Sequence, residues 1–343
     1  MHIERGQRFN FRNKKEKPIR LKLDQLIDEY LYVKRSEKRS PKTVSAYEQT
    51  LSQFAKWLES ANYESITVET IREYIYFLSY KKSRWDDHPT SPTKEIGLSA
   101  RTVNNNIRNL KVFFNYLLRE RIIKCSPMEL INYQREEKNS FSIFTDEDVK
   151  LLLSVPDKRT YTGHRDYVIM LLLCDCGLRI NELTNLKVND VDFESNYLNV
   201  GARSNKIKTR RIVPMSSNTA NSLKNLILRM AIEPTDYIFL TQYGERYSGD
   251  SFGKMLKKYA NRVGLAGPRV SPHTFRHYMA VKFLREGGNT IVLMRILGHS
   301  SLSMTEKYVR FSMNDIREQH DKASPVKNLI DLKKRKDGKR RFY

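Results

Sequence analysis

Apolar residues recur at three- and four-residue steps through most of residues 22–132, and this spacing constrains the fold more than any other feature. On a helix it gathers apolar side chains onto one stripe, which must be buried against other helices. LKLDQLIDEYLYV carries the pattern first. Ser40 and Pro41 then supply an N-cap and a first-turn residue for PKTVSAYEQTLSQFAKWLES. A third helix fits VETIREYIYFLSYKK from near Thr67, and SRWDDHPTSPTKEIG breaks the pattern with two prolines and a glycine. The fourth, LSARTVNNNIRNLKVFFNYLLRERI, has Ser99 as its cap. Residues 21–132 are therefore expected to form a four-helix unit without strands.

A polar linker is expected over 133–144, because NYQREEKNSFSIFT shows no periodicity. Thr145, followed by Asp146, Glu147 and Asp148, opens a new helix with acidic residues at its positive end. A second domain then covers 145–324. One helix runs roughly from Asp166 to Cys176 and stops at Gly177, and a short helix from Ile180 carries Glu182. YLNVGARSNKIKTRRIVPM reads as two strands joined by a basic turn, with Val200 and Gly201 on one side and Arg211 to Met215 on the other. Helices dominate from Ser217 onward. The fold class is thus mainly α with a small β-sheet (α+β), in two domains between basic tails at 1–20 and 325–343.

Among 343 residues, 62 Lys and Arg face 39 Asp and Glu, a net charge of +23. Such a surplus favours a polyanionic partner, because each phosphate contact releases condensed counterions. No stretch is apolar enough to span a bilayer, and the basic start lacks the apolar run of a secretory signal. The expected location is the cytoplasm, at a bacterial nucleoid, with no membrane partner. Cys125, Cys174 and Cys176 suggest core thiols rather than disulfides or a zinc site. No nucleotide-binding glycine loop occurs, and no D-x-D or H-x-x-x-H ligand set provides a convincing metal site, so neither cofactor nor metal is expected.

Reactive residue types crowd the last third. His273 and Arg276 in HTFRH are three apart, so on a helix they share a face and can address one phosphate. Ser271 and Pro272 give that helix a defined start. His277, beside Arg276, is expected to point elsewhere and is read as structural. His299 follows Gly298 in ILGHSS, where glycine permits a tight turn, and Tyr308 follows nine positions later. Arg179 lies upstream in GLRINEL. Two guanidinium groups can neutralise a phosphate, imidazoles can move protons, and a phenol can be a nucleophile.

GLRINEL, the basic hairpin NKIKTRRIVP, SPHTFRHYMA, ILGHSS and EKYV together resemble the motifs of the tyrosine recombinase (phage integrase) family. The catalytic resemblance covers about 145–320, and the helical half resembles the family's core-binding domain. The resemblance implies that Arg179 and Arg276 hold the non-bridging oxygens of a scissile phosphate, braced by Glu182 beneath Arg179. It implies that His273 exchanges protons with the nucleophile and that His299 donates to a phosphate oxygen. Tyr308 would attack phosphorus, giving a 3′-phosphotyrosyl link and a free 5′-hydroxyl. A hairpin lysine would protonate that leaving oxygen: Lys206, eight positions before Pro214, fits the family's spacing, and Lys208 is the alternative.

The same resemblance implies double-stranded DNA with a specific core site, a homotetramer on two such sites, and in some members an accessory DNA-bending protein. Lys42, Arg101, Asn104, Asn105 and Arg108 are the candidate DNA contacts of the helical half, with Lys208 in the hairpin. Only a basic segment of about twenty residues precedes the first helix, where many integrases carry an arm-binding domain, so a Xer-like or transposon-type recombinase is expected. The task could be integration and excision of a mobile element, transposition, or multimer resolution. Two rivals stand beside it: a type IB topoisomerase, which relaxes supercoils by the same chemistry, and a non-catalytic DNA-binding accessory protein.

Overall fold

A computed structural model describes residues 19–63, 65–83, 95–136, 143–201, 210–265 and 270–309, with 317, 320–321 and 323–326 beyond them. Its contacts divide the chain between Asn139 and Ser140 into two compact units. Most of both basic tails, the linker residues 137–142 and the hairpin tip 202–209 lie outside the described residues.

The first unit holds four helices, α1 (Ile19–Ser36), α2 (Pro41–Ser60), α3 (Val68–Tyr80) and α4 (Ala100–Arg119). Local chemistry starts each where the sequence places it. The Ser40 side chain accepts from the Thr43 N–H with Pro41 in the first turn, Thr67 and Thr70 form a reciprocal capping box, and Ser99 accepts from Thr102. The apolar stripes meet in a core of Tyr30, Leu51, Phe54, Ile71, Tyr74, Ile107 and Phe113, all fully buried. Burying each such side chain contributes about 1.5–3 kcal/mol against the entropy of ordering it. Tyr30 sits edge-on to Phe113 with ring centres 5.3 Å apart, a favoured aromatic geometry.

In the second unit α5 (Asp146–Ser154) opens with a capping box between Thr145 and Asp148. The helix expected from Asp166 begins a turn and a half earlier: α6 spans Tyr161–Cys176, capped by Thr160. The pattern hid that start because Gly163, His164, Arg165 and Asp166 look like a loop. A Cβ on Gly163 would lie 2.1 Å from the Asp157 carbonyl oxygen, so glycine is required there. Arg165 and Asp166 are buried as an ion pair at 2.8 Å, and the Tyr259 hydroxyl donates to the other Asp166 oxygen at 2.8 Å. Beyond them Val168, Ile169, Met170, Leu172 and Leu173 are all fully buried, making α6 the central rod of this core.

After α7 (Ile180–Leu183) a three-stranded antiparallel sheet runs in the order β1 (Val191–Asp192), β2 (Tyr197–Val200), β3 (Arg211–Pro214). The expected pair is β2 with β3, in the register Leu198 to Val213 and Val200 to Arg211. β1 is an addition, too short to carry a periodic signal. The helices α8 (Ser217–Arg229), α9 (Gly249–Arg262), α10 (Pro272–Arg285), α11 (Thr290–Leu297) and α12 (Ser303–Glu306) complete the unit. Among the described residues no helix is long and apolar enough to cross a membrane.

Candidate active site

Two helix ends build the site. α6 stops at Gly177 and α11 stops at Gly298, both in the left-handed conformation, with φ of 59° and 62°. Each turn presents a backbone carbonyl group to an arginine. Gly177 O accepts from Arg276 Nη1 at 2.5 Å, and Leu297 O accepts from Arg276 Nη2 at 2.6 Å. Gly298 O accepts from Arg179 Nη2 at 3.3 Å.

Arg179 is the residue before α7, and Glu182 lies one turn on with 1% of its surface exposed. One Glu182 oxygen accepts from Arg179 Nη1 at 2.9 Å, and the other accepts from the Arg179 backbone N–H at 3.0 Å. The same carboxylate meets Arg211 of β3 at 2.6 Å. Arg211 Nε donates to Ile296 O at 2.8 Å, tying the sheet to α11. Burial alone would raise the Glu182 pKa; hydrogen bonds and charge from Arg211, then from Arg179, outweigh it and hold the group below the ordinary carboxylate value. Glu182 stays ionised and fixes two guanidinium groups at once.

Arg276 is 4% exposed on α10. Burial, and then the charge of Arg179, push its pKa down to about 10, so it remains protonated at neutral pH. Its Nη2 also lies 3.1 Å from His299 Nε2. A guanidinium can only donate, so Nε2 accepts and the His299 proton sits on Nδ1, 2.8 Å from the Thr305 hydroxyl. Burial and the charges of Arg276, Lys307, Arg179 and Arg211 push the His299 pKa down to about 4. In this state His299 is neutral, and the nitrogen facing Arg276 is an acceptor rather than the expected donor.

Tyr308 follows α12, is 5% exposed, and stacks on the His299 ring with 6.2 Å between centres at 14°. Its hydroxyl lies 2.8 Å from His277 Nδ1. That corrects the reading of His277: adjacent to Arg276 in sequence, it nevertheless turns to the phenol, because Tyr308 packs against α10 from the side. Burial raises the Tyr308 pKa, opposed by Arg276 and Arg179, and the net direction is upward. With His277 and His299 pushed down to about 4, neither adds an imidazolium charge beside the phenol at neutral pH. The resting group is a phenol.

His273 is exposed on α10 between the buried Pro272 and Thr274, three residues before Arg276. Partial burial and the charges of Arg276, Arg179 and Lys307 lower its pKa. Ser271 and Pro272 stand at the helix start as expected, but Ser271 pairs with the Thr274 hydroxyl rather than capping a backbone N–H. The described residues thus bring Arg179, Glu182, Arg276, His299 and Tyr308 together, with His273 beside Arg276.

The phage integrase family matches residues 142–315, and its SAM-like domain matches 23–135. Tyrosine recombinase XerA of Pyrococcus furiosus is 31% identical over 297 residues, covering 82% of this chain and 96% of its own. Tyrosine recombinase XerC of Chlamydia caviae is 29% identical over 306 residues, covering 86% and 96%. This chain belongs to the phage integrase family of tyrosine recombinases. It is a site-specific enzyme of DNA strand breakage and rejoining. The fold is shared with the Tn1549 transposon integrase, solved with a circular intermediate DNA, at a TM-score of 0.65 and 20% identity over 88% of this chain and 98% of that one. XerH recombinase bound to its difH substrate gives 0.64 and 18% over 88% and 83%.

Lys206 and Lys208 of the recombinase hairpin lie outside the described residues. Of the helical-unit candidates, Lys42, Arg101, Asn105 and Arg108 are exposed, the last three on one face of α4. Asn104 is a correction. It is 9% exposed, and its amide donates to Gln134 O at 2.9 Å and Glu136 Oε1 at 3.0 Å while accepting from Gln134 N at 2.7 Å. Its polar atoms serve the chain leaving the helical unit rather than a groove. Sequence reasoning missed Arg211, Thr305, Lys307 and His277. Arg211 was one cation in a run of them, and only the strand register separates it from its neighbours.

Proposed function

We propose that Tyr308 is the nucleophile of this recombinase and forms a 3′-phosphotyrosyl bond with one strand of a specific core site. Arg179 and Arg276 hold the non-bridging oxygens, where planar guanidinium forks suit bidentate binding. Glu182 keeps Arg179 in place. His273 and His299 flank the phosphate, and His299 becomes a donor there once phosphate charge offsets the surrounding cations. Lys206, with Lys208 as its alternative, supplies the proton to the leaving 5′-oxygen. The ester conserves the energy of the broken bond, so rejoining needs no nucleotide.

The convergence of Tyr308, His299 and Arg276, stacked and hydrogen-bonded in sequence, carries this reading. The α4 face of Arg101, Asn105 and Arg108, with Lys42, contacts the duplex. A homotetramer joins two sites, with or without an accessory DNA-bending protein, in the cytoplasm at the nucleoid. A Xer-like or transposon-type task, whether integration and excision, transposition or multimer resolution, is in keeping with the Xer recombinases among the relatives.

Covalent capture tests the reading. Wild-type protein incubated with a random-sequence nicked duplex library should retain DNA through denaturation and release it on proteolysis, and Tyr308→Phe should retain none. Capture by Tyr308→Phe would refute the nucleophile. Relaxation of supercoiled DNA without strand exchange would instead favour the topoisomerase rival.

A further inference from the structure

The nucleophile has a partner outside the residue set that the motifs supply. Tyr308 Oη and His277 Nδ1 are 2.8 Å apart, with ring centres 5.4 Å apart at 49°. A phenol O–H donates to a ring nitrogen that carries no proton, and with its hydrogen on Nε2 the neutral His277 ring offers Nδ1 as the acceptor of the phenol's proton. His277 Nδ1 stands at the right distance to take it.

We propose that His277 is the base that accepts the Tyr308 proton during strand cleavage. The inference rests on Tyr308 being the nucleophile. As Oη bonds to phosphorus, the O–H bond breaks and its proton passes to His277 Nδ1, giving an imidazolium whose other proton is on Nε2. The bond from phosphorus to the 5′-oxygen breaks with its electron pair on oxygen, which is protonated by the hairpin lysine. Religation reverses both transfers, with the 5′-hydroxyl attacking and the imidazolium returning its proton to the departing phenolate.

The surroundings suit a base that must be empty at neutral pH. His273 and Arg276 face His277 from its own helix, and Lys307 and Tyr308 face it from the turn after α12. Burial, then Lys307, His273 and Arg276, push its pKa down to about 4. Incoming phosphate raises that value toward the operating range, which strengthens the base as the nucleophile is needed. His273 has the motif position expected of a proton exchanger, and His277 Nδ1 lies 2.8 Å from the reacting oxygen.

The test uses full-length protein and a nicked duplex recovered by covalent capture on the wild type. Single-turnover cleavage is followed from pH 6 to 9 for wild type, His277→Asn and His277→Ala, with duplex binding measured separately. Asparagine places an oxygen near the Nδ1 position, so it keeps the hydrogen bond without the basicity. His277→Asn should bind DNA as wild type does and cleave about 100-fold more slowly at pH 7, the lower end for a lost general base. Its rate should climb with pH more steeply than wild type, since hydroxide must then ionise the phenol. Added imidazole should recover part of the His277→Ala rate. A His277→Asn rate equal to wild type, or a uniform loss with an unchanged pH profile, would overturn the proposal. Failure of wild type to form any Tyr308 adduct would instead remove the reading beneath it.

Discussion

Glu182 neutralises two arginines from one fully buried position, so its loss is felt on both sides of the site. Breaking a buried charge network by removing one partner costs about 3–5 kcal/mol. Glu182→Gln should therefore lower the unfolding midpoint measurably in calorimetry, and it should slow cleavage by freeing Arg179 and Arg211. The sign of its pH dependence follows from the lowered pKa. A carboxylate held below its ordinary value of 4.5 contributes fully above that value and loses its contribution as pH falls through the folded one. The histidines act in a higher window. His277 and His299 both titrate near 4 when folded, against an ordinary 6.5. The unfolded chain thus binds more protons between those values, and stability falls as pH drops from about 6.5 toward 4. Replacing His299 by Gln should flatten the curve of unfolding midpoint against pH within that window while leaving the region above pH 7 unchanged. An equally steep curve in the variant would show that other groups carry the dependence.

At the scale of elements, two left-handed glycine turns aim the carbonyls that hold the arginines. A Cβ on Gly298 would lie 3.0 Å from the Arg211 guanidinium, besides requiring a φ of 62° from an L side chain. Gly298→Ala should cost about 1–2 kcal/mol from backbone strain alone, a fall of roughly 2–4 °C per kcal/mol in the unfolding midpoint for a unit of this size. Its cleavage rate should fall further than that stability loss explains, because Arg211 has to move. The long helices were legible because serine and threonine caps coincide with the start of apolar stripes, as at Ser40, Thr67, Ser99 and Thr145. The start of α6 was not, since a tight approach to Asp157 selects glycine there and a buried ion pair places charges inside a helix. The site divides similarly. Arg179, Arg276, His299 and Tyr308 could be named from motif order. The occupation of Asn104 by the departing chain and the turn of His277 toward Tyr308 depend on contacts across 30 and 31 residues, which no local spacing encodes.

For the whole molecule, a net charge of +23 makes binding to duplex DNA strongly salt-dependent. Replacing Arg101 or Arg108 by Ala should reduce the slope of log affinity against log salt by roughly one each if each meets a phosphate. Asn104→Ala should leave that slope unchanged and lower thermal stability instead, by about 1–3 kcal/mol for the buried groups it strands. Tyr308 packs into the site of its own chain, against its own His299 and His277. Mixing Arg276→Ala with Tyr308→Phe should therefore not restore cleavage of a single core site, because neither chain lends its tyrosine to the other. Esterification of a side chain near residue 308 to DNA is the central step, and peptide mass mapping of the trapped adduct reads it directly. The nucleotide mass should fall on the peptide containing Tyr308, with fragmentation placing it on the phenol oxygen as a 3′-phosphate ester. A nucleotide on any other side chain, or none while strands are being exchanged, would contradict it.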